Sequence, residues 1–313
     1  MVPAKSAATI PELPPANPKN FTAASPKPET VDAFLHQMWG YDHNRTWRVA
    51  GVQTTAAAGV SRVTVWVLEK VPGAQIQSMV FLATPDGNHA IEGTNIIPFG
   101  AAPFAANREL FRTGANGPFR GPATKAFEIV EFIDLQCPHC KEAQEIIDKL
   151  ARDFPKAHLA IQLFPLVNIH PSADKAATYA VCAEKTSTNA FFKYVHAVFE
   201  TQEGLTPTTD DALLKNAATD AGLDGGAVAA CAKTQAARDE VDAEVRLAAA
   251  AGVEQTPLLA VNGRMLPEFN DIPYDQLKKI IQYQATLDGV DSGATAETLA
   301  PTNAQPMPTN PSK

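Results

Sequence analysis

Cys137-Pro138-His139-Cys140 places two thiols three positions apart, directly after an apolar run over 127–134. Cysteines at i and i+3 on a helix start can close and open a disulfide with little backbone motion, so the chemistry this spacing offers is thiol–disulfide exchange. Behind them, Ala143, Ile146, Ile147 and Leu150 recur at the spacing of one buried helix face. The motif therefore belongs at a strand-to-helix turn. There the orphan N–H groups and the positive end of the helix dipole both favour a thiolate over a thiol. Cys137 is the expected nucleophile, and Cys140, one turn inside the helix, the resolving thiol. Pro138 suits the first helical turn, where its missing N–H has no partner to lose. His139 can add a hydrogen bond or partial positive charge to the sulfur. The other use of Cys-x-x-Cys is half of a zinc site, which needs two more ligands at short spacing. No second pair follows, and no metal is expected.

The elements that must position this centre can be read in part. Glu131 interrupts a strand of Ile129, Val130, Phe132 and Ile133, where a carboxyl is costly unless it is neutral or has a partner. Strand alternation also allows it to face outward. Far downstream, Thr256-Pro257 precedes a short apolar run that ends in the turn dipeptide Asn262-Gly263. The stretch between Cys140 and Thr256 is too long for one connection and must hold a subdomain. It opens with a strand over 158–164. An Ala-rich run from His170, then 189–200, 210–221, 226–233 and 236–251, reads as helix, broken by Gly204, Pro207, Gly222 and Gly225. His170 reads as a structural residue at the entry to the first of these helices. Cys182 and Cys231 both fall among Ala and Val in this region. In an oxidising compartment they are expected to pair as a structural disulfide; the alternative is two buried free cysteines acting as small hydrophobes.

The segment Glu131-Phe-Ile-Asp-Leu-Gln-Cys-Pro-His-Cys140 resembles the active-site segment of the DsbA family of thiol–disulfide oxidoreductases. That resemblance implies an α/β, thioredoxin-like fold with an all-helical insertion, here at about 168–251. It implies a cis bond before Pro257, with the backbone at Thr256 left free to pair with a substrate peptide, and an acidic Glu131 that moves protons to and from the buried cysteine. In that family the nucleophile ionises near ~3.5, against ~8.5 for free cysteine. The cofactor is the redox-active Cys137–Cys140 disulfide itself. The implied partners are unfolded or thiol-bearing proteins and a membrane redox partner that recharges the centre.

The other half of the chain reads as a small α+β unit over 29–121. It has a helix near 31–39, β-type runs at 46–53, 61–68 and 75–83, a turn at Asp86-Gly87, a further run at 88–93 and a linker helix around 104–112. A unit of this kind leading into a thioredoxin-like domain resembles the disulfide isomerases DsbC and DsbG, which implies a homodimer formed through the N-terminal domain. The catalytic domain is expected at 122–286. Residues 1–28 and 287–313, rich in Pro, Ala, Ser and Thr, are expected to be a disordered leader and tail.

A net charge of −8 argues against a nucleic-acid partner. No apolar run is long enough to span a bilayer. The start Met1-Val-Pro-Ala-Lys5 is followed by no apolar h-region, whereas the Pro-His dipeptide and the four cysteines favour a periplasmic or extracytoplasmic site over the cytoplasm. The leading functional expectation is an oxidase that donates the Cys137–Cys140 disulfide to exported protein thiols. A dimeric isomerase or reductase and a redox-independent peptide-binding holdase are the alternatives.

Overall fold

The computed structural model describes residues 10–294 and arranges them around two sheets. The first is an antiparallel meander of β1 (Arg45–Thr54), β2 (Ser61–Glu69), β3 (Gln77–Ala83), β4 (His89–Glu92) and β5 (Asn95–Pro98). Val63 and Val65 of β2 and Phe81 and Ala83 of β3 alternate onto one face. They pack under Val31, Phe34 and Leu35 of α1 (Pro28–Trp39). Period-two burial is what a sheet covered on one side requires. The Asp86-Gly87 turn forms as the composition suggests. The Asp86 carboxylate accepts from the N–H groups of Asn88 and His89 at 2.9 and 3.2 Å, and Gly87 takes a φ of +71°. β5 gave no sequence signal of its own, because Ile96 and Ile97 are too short a run to read as a strand without the hairpin partner β4.

The second sheet has the spatial order β10 (Arg264–Pro267), β9 (Leu258–Val261), β7 (Glu128–Ile133), β8 (His158–Leu163), β6 (Phe119–Arg120). β7 runs parallel to β8 and antiparallel to β9. All residues of this central strand are buried, as expected where both sheet faces are covered. The outward-facing alternative for Glu131 is therefore wrong. α3 (Pro138–Asp153) and α9 (Tyr274–Leu287) contribute Ala143, Ile147, Leu150, Leu277 and Ile281 to the core around this sheet.

Between β8 and β9 the chain makes five helices, α4 (Ala173–Glu184), α5 (Thr188–Thr201), α6 (Asp210–Asp220), α7 (Gly225–Ala232) and α8 (Gln235–Ala251). Small side chains in α4 (Ala176, Ala177, Ala180, Ala183) let its neighbours approach closely. A Cys182–Cys231 disulfide joins α4 to α7 across a sequence separation of 49 residues.

Three expected boundaries need correction. Residues 10–28 of the supposedly disordered leader are ordered. Asn17 caps a 3-10 helix, Pro18–Asn20. Thr22 and Ala23 donate to the Val52 carbonyl at 3.0 and 3.1 Å. Arg48 donates to the carbonyls of Leu13 and Pro14 at 2.7 and 2.6 Å. A proline-rich segment is short of N–H donors but keeps every carbonyl, so an arginine on β1 supplies what the segment cannot. At the other end, Val290 and Ala294 pack on the core, and Asp288 receives Arg108 at 2.6 Å. The remainder of the leader and tail, residues 1–9 and 295–313, lies outside the described residues. The division at 121 is also too late. β6 belongs to the second sheet, and α2 (Ala105–Gly114) sets Phe111 against Phe132 of β7 at 5.6 Å.

The two sheets are tied together beside the strand that carries Pro257. Arg264 of β10 donates to the carbonyls of Gln37 and Met38 at 3.1 and 2.8 Å, satisfying orphan acceptors in the last turn of α1. Tyr283 donates to the His36 carbonyl at 2.8 Å. Gly263, at φ +87°, lies so close to Phe104 and Arg108 that a Cβ would meet their backbone.

Replacing Cys182 and Cys231 together by alanine is expected to lower stability by about 4 kcal/mol, from loss of loop closure in the unfolded chain. Urea unfolding without reductant checks this, and an unchanged midpoint would refute it.

Candidate active site

Cys137 is the N-cap of α3, in extended geometry with φ −77° and ψ 120°, and Pro138 takes the first helical position. The capping carbonyl of Cys137 accepts from Cys140 N–H at 3.2 Å and from the Gln202 side chain at 2.9 Å. Both sulfurs are free thiols and both are buried, Cys140 completely. The Cys137 Sγ lies 3.6 Å from the Thr256 carbonyl.

Burial acts on both sulfurs, yet the surroundings separate them. The Cys137 thiol is lowered to about 5 from an ordinary 9.0. The largest cause is the hydrogen bond from the Cys140 thiol, which outweighs the opposing cost of burial. Cys140 N–H, Thr256 and His139 N–H add to it. Cys140 moves the other way, well above 9.0, because it is buried and faces the Cys137 sulfur. A thiol that ionises below neutrality next to one that does not is the arrangement of a nucleophile and its resolving partner. The shift of Cys137 has the direction that the helix start implies, and it is smaller than the DsbA-family figure.

His139 requires a correction. Its ring is exposed and pairs with Glu142 at 3.1 Å, which raises the imidazole above its ordinary 6.5. The ring still acts on the Cys137 sulfur through its charge, and the hydrogen bond that reaches the sulfur comes from the His139 backbone N–H. A side chain two positions past the N-cap projects along the helix surface, so the carboxylate three residues on competes for it successfully.

Thr256 and Pro257 are brought to the sulfurs by strand register. Leu258 pairs with Phe132 on β7, so the two preceding residues extend past the end of that strand toward Cys137. The Thr256-Pro257 bond is cis, and Pro257 is buried. The Thr256 hydroxyl is buried without a close hydrogen-bond partner and helps lower both thiols.

Glu131 is fully buried on β7, and neither carboxyl oxygen has a hydrogen-bond partner. Desolvation raises it from 4.5 to about 8, against the weaker pull of Arg120. Gln144, whose amide donates to the Cys140 carbonyl at 3.2 Å, is also among the groups that act on it. A neutral acid in this position, acted on by Gln144 one helical turn after Cys140, can hold a proton beneath α3.

Several residues around the site were not singled out by sequence reasoning. Gln202, from the 3-10 turn after α5, donates to the carbonyls of Leu135 and Cys137 at 3.1 and 2.9 Å. Gln136 accepts from Ser172 N–H at 2.8 Å and donates to the Leu205 carbonyl at 3.1 Å. The buried Asp134 receives His170 at 2.7 Å, so His170 does more than open α4. The local signal was a further acidic residue, Asp134, directly after the β7 run. Among the described residues, no group of three or more His, Cys, Asp or Glu could hold a metal ion.

A family model described as thioredoxin matches residues 115–283, more than half of the chain. The chain belongs to that family. Among curated proteins, it is 29% identical over 145 residues to the Na(+)/H(+) antiporter NhaA 3 of Salinispora tropica, covering 46% of this chain and 21% of that one. It is 34% identical over 64 residues to NhaA 1 of Salinispora arenicola, covering 20% and 10%. The chain thus spans about a fifth or less of the length of these relatives. Among solved structures it is similar to the catalytic domain of Proteus mirabilis ScsC, with a TM-score of 0.49, 21% identity, and 58% of this chain and 97% of that one covered. It is also similar to oxidised BdbD of Bacillus subtilis, with a TM-score of 0.47, 20% identity and coverage of 54% and 93%. The family assignment rests on the sequence match.

The absorbance of the thiolate in the reduced protein is expected to titrate with a midpoint of about 5 and to be lost in Cys137→Ser; a midpoint near 9 would exclude Cys137 as an activated nucleophile. Glu131 supplies a second test. Between about 4.5 and about 8 the folded state keeps the proton that the unfolded chain has lost, so this group makes stability fall as pH rises. Glu131→Gln should flatten that slope by about 1 kcal/mol per pH unit, read from urea midpoints across the range. Glu244, raised by burial to about 8, contributes its own slope, which should remain.

Proposed function

We propose that this protein is a thiol–disulfide oxidase of the DsbA type, donating the Cys137–Cys140 disulfide to thiols of exported proteins. The observation that carries the reading is the opposed ionisation of two adjacent sulfurs at the start of α3, beside Thr256 and Pro257. A substrate thiolate attacks Cys137 Sγ, the Cys137–Cys140 bond breaks, and Cys140 leaves as a thiolate that takes up a proton. A second substrate thiolate then attacks the substrate sulfur of the mixed disulfide and releases Cys137. The substrate loses two electrons and two protons, and the enzyme becomes the dithiol. A Cys137 thiolate that is cheap to hold at neutral pH favours this second release and hence the direction of transfer. Glu131 acts as the proton carrier for Cys140, and the backbone at Thr256 pairs with the extended substrate. A membrane redox partner takes the two electrons to recharge the centre.

An extracytoplasmic, periplasmic setting is supported by the Cys182–Cys231 disulfide, which a reducing cytosol does not sustain. Among the described residues, no helix is long and apolar enough to cross a membrane.

A second reading, a dimeric isomerase or reductase of the DsbC and DsbG type, is favoured by the first sheet. The leader lies along β1, whereas β4 pairs with β3 only at Leu82 and Ala83. The rest of that β3 edge is where a second copy would add.

Equilibration with glutathione buffers separates the two readings in part, and the oligomer mass adds to it. A potential near ~−120 mV is expected for the oxidase, and one near ~−270 mV would overturn it. Cys137→Ser should abolish oxidation of a reduced, unfolded protein; retained biological activity would favour a holdase. A dimer that Val80→Lys dissociates would support the isomerase arrangement.

A further inference from the structure

The Asp134 carboxyl takes no part in the exchange chemistry proposed above, yet it is completely buried at the end of β7 and engages three donors. Gln136 N–H meets one oxygen at 2.7 Å. Leu166 N–H and His170 Nδ1 meet the other at 2.8 and 2.7 Å. These donors come from the turn that leads to Cys137, the segment after β8 and the approach to α4. The Asp134 backbone touches both cysteines. Its N–H donates to Cys140 Sγ at 3.4 Å, and its carbonyl accepts from Cys137 N–H at 3.1 Å.

We propose that Asp134 and His170 are a positioning pair for the resolving thiol: their side-chain bond holds the Asp134 N–H on Cys140 Sγ, where it stabilises the thiolate formed when the disulfide opens. The inference rests on the exchange reading of the site. Opening breaks the Cys137–Cys140 bond, makes a bond between Cys137 and the attacking sulfur, and leaves the electron pair on Cys140. Burial opposes that charge, and the Asp134 N–H is the first of the groups that offset it, with Thr256 behind it. By microscopic reversibility the same hydrogen bond assists Cys140 when it attacks a mixed disulfide on Cys137. His170 is suited to hold the arrangement because it reaches across from the insertion and, among the described residues, supplies the only side-chain donor bonded to the Asp134 carboxyl. Without it the Asp134 carboxyl is left to the backbone donors of Gln136 and Leu166, and the turn is freer to rotate its N–H away from the sulfur.

The test compares two rates. One is the opening of the oxidised centre by reduced glutathione, read by acid quench and mass spectrometry. The other is the alkylation of Cys137 by iodoacetamide in the reduced protein, as a function of pH. His170→Ala should slow opening by about tenfold, the loss expected for a hydrogen bond to a charged group. It should leave the pH midpoint of Cys137 alkylation in place. His170→Asn, which keeps an N–H donor for the carboxylate, should restore most of the rate. Should the alanine variant not fold, His170→Leu against His170→Asn carries the same expectation. Equal opening rates with and without a donor at position 170 would overturn the inference, as would equal slowing of opening and alkylation. Wild-type protein that glutathione does not open would remove the exchange reading itself, and the inference with it.

Discussion

The closeness of the two thiols at the open end of α3, which lowers Cys137 and raises Cys140, is the interaction on which the site depends. Burial alone would raise both sulfurs and leave neither reactive. By burying Cys140 more deeply, the fold leaves its proton in place and makes it a donor to Cys137. The helix start contributes through the N–H groups of His139 and Cys140. The asymmetry thus comes from placing two identical groups one turn apart across the boundary between N-cap and helix interior.

That boundary is held from outside the strand and helix that define it. Gln202, Gln136 and His170 reach the Cys137 turn from the helical insertion or join the turn to it. Buried backbone carbonyls at Leu135 and Cys137 need donors, and the insertion provides them. The five helices therefore do more than roof the sheet. The Cys182–Cys231 disulfide staples two of them, α4 and α7, at a distance in sequence from the centre they support.

The first sheet meets the second at the hairpin of β9 and β10, whose first strand follows Pro257. Arg264 ends α1 and orients it in one contact. The site and the first sheet thus share the β9–β10 hairpin as a common element.

Cys137 to Cys140, the apolar β7 before them and the amphipathic α3 behind them are local in sequence, so the exchange centre and its strand–turn–helix setting could be read from residue types and spacing. Helical composition in the insertion and the Asp86-Gly87 hairpin were legible for the same reason. What required the tertiary structure was every property that depends on residues distant in the chain. Glu131 allowed two orientations until packed elements covered both faces of the sheet at β7. His139 pointed to the sulfur on paper and to Glu142 in the fold. The proline-rich leader had no intrinsic means to order, and gained it from Arg48 and the β1 edge. Gln202 lies far from Cys137 in sequence and carries no motif. A periodic pattern records which face of an element is buried. It does not record which donor meets which acceptor across the core, because that depends on how separate elements pack.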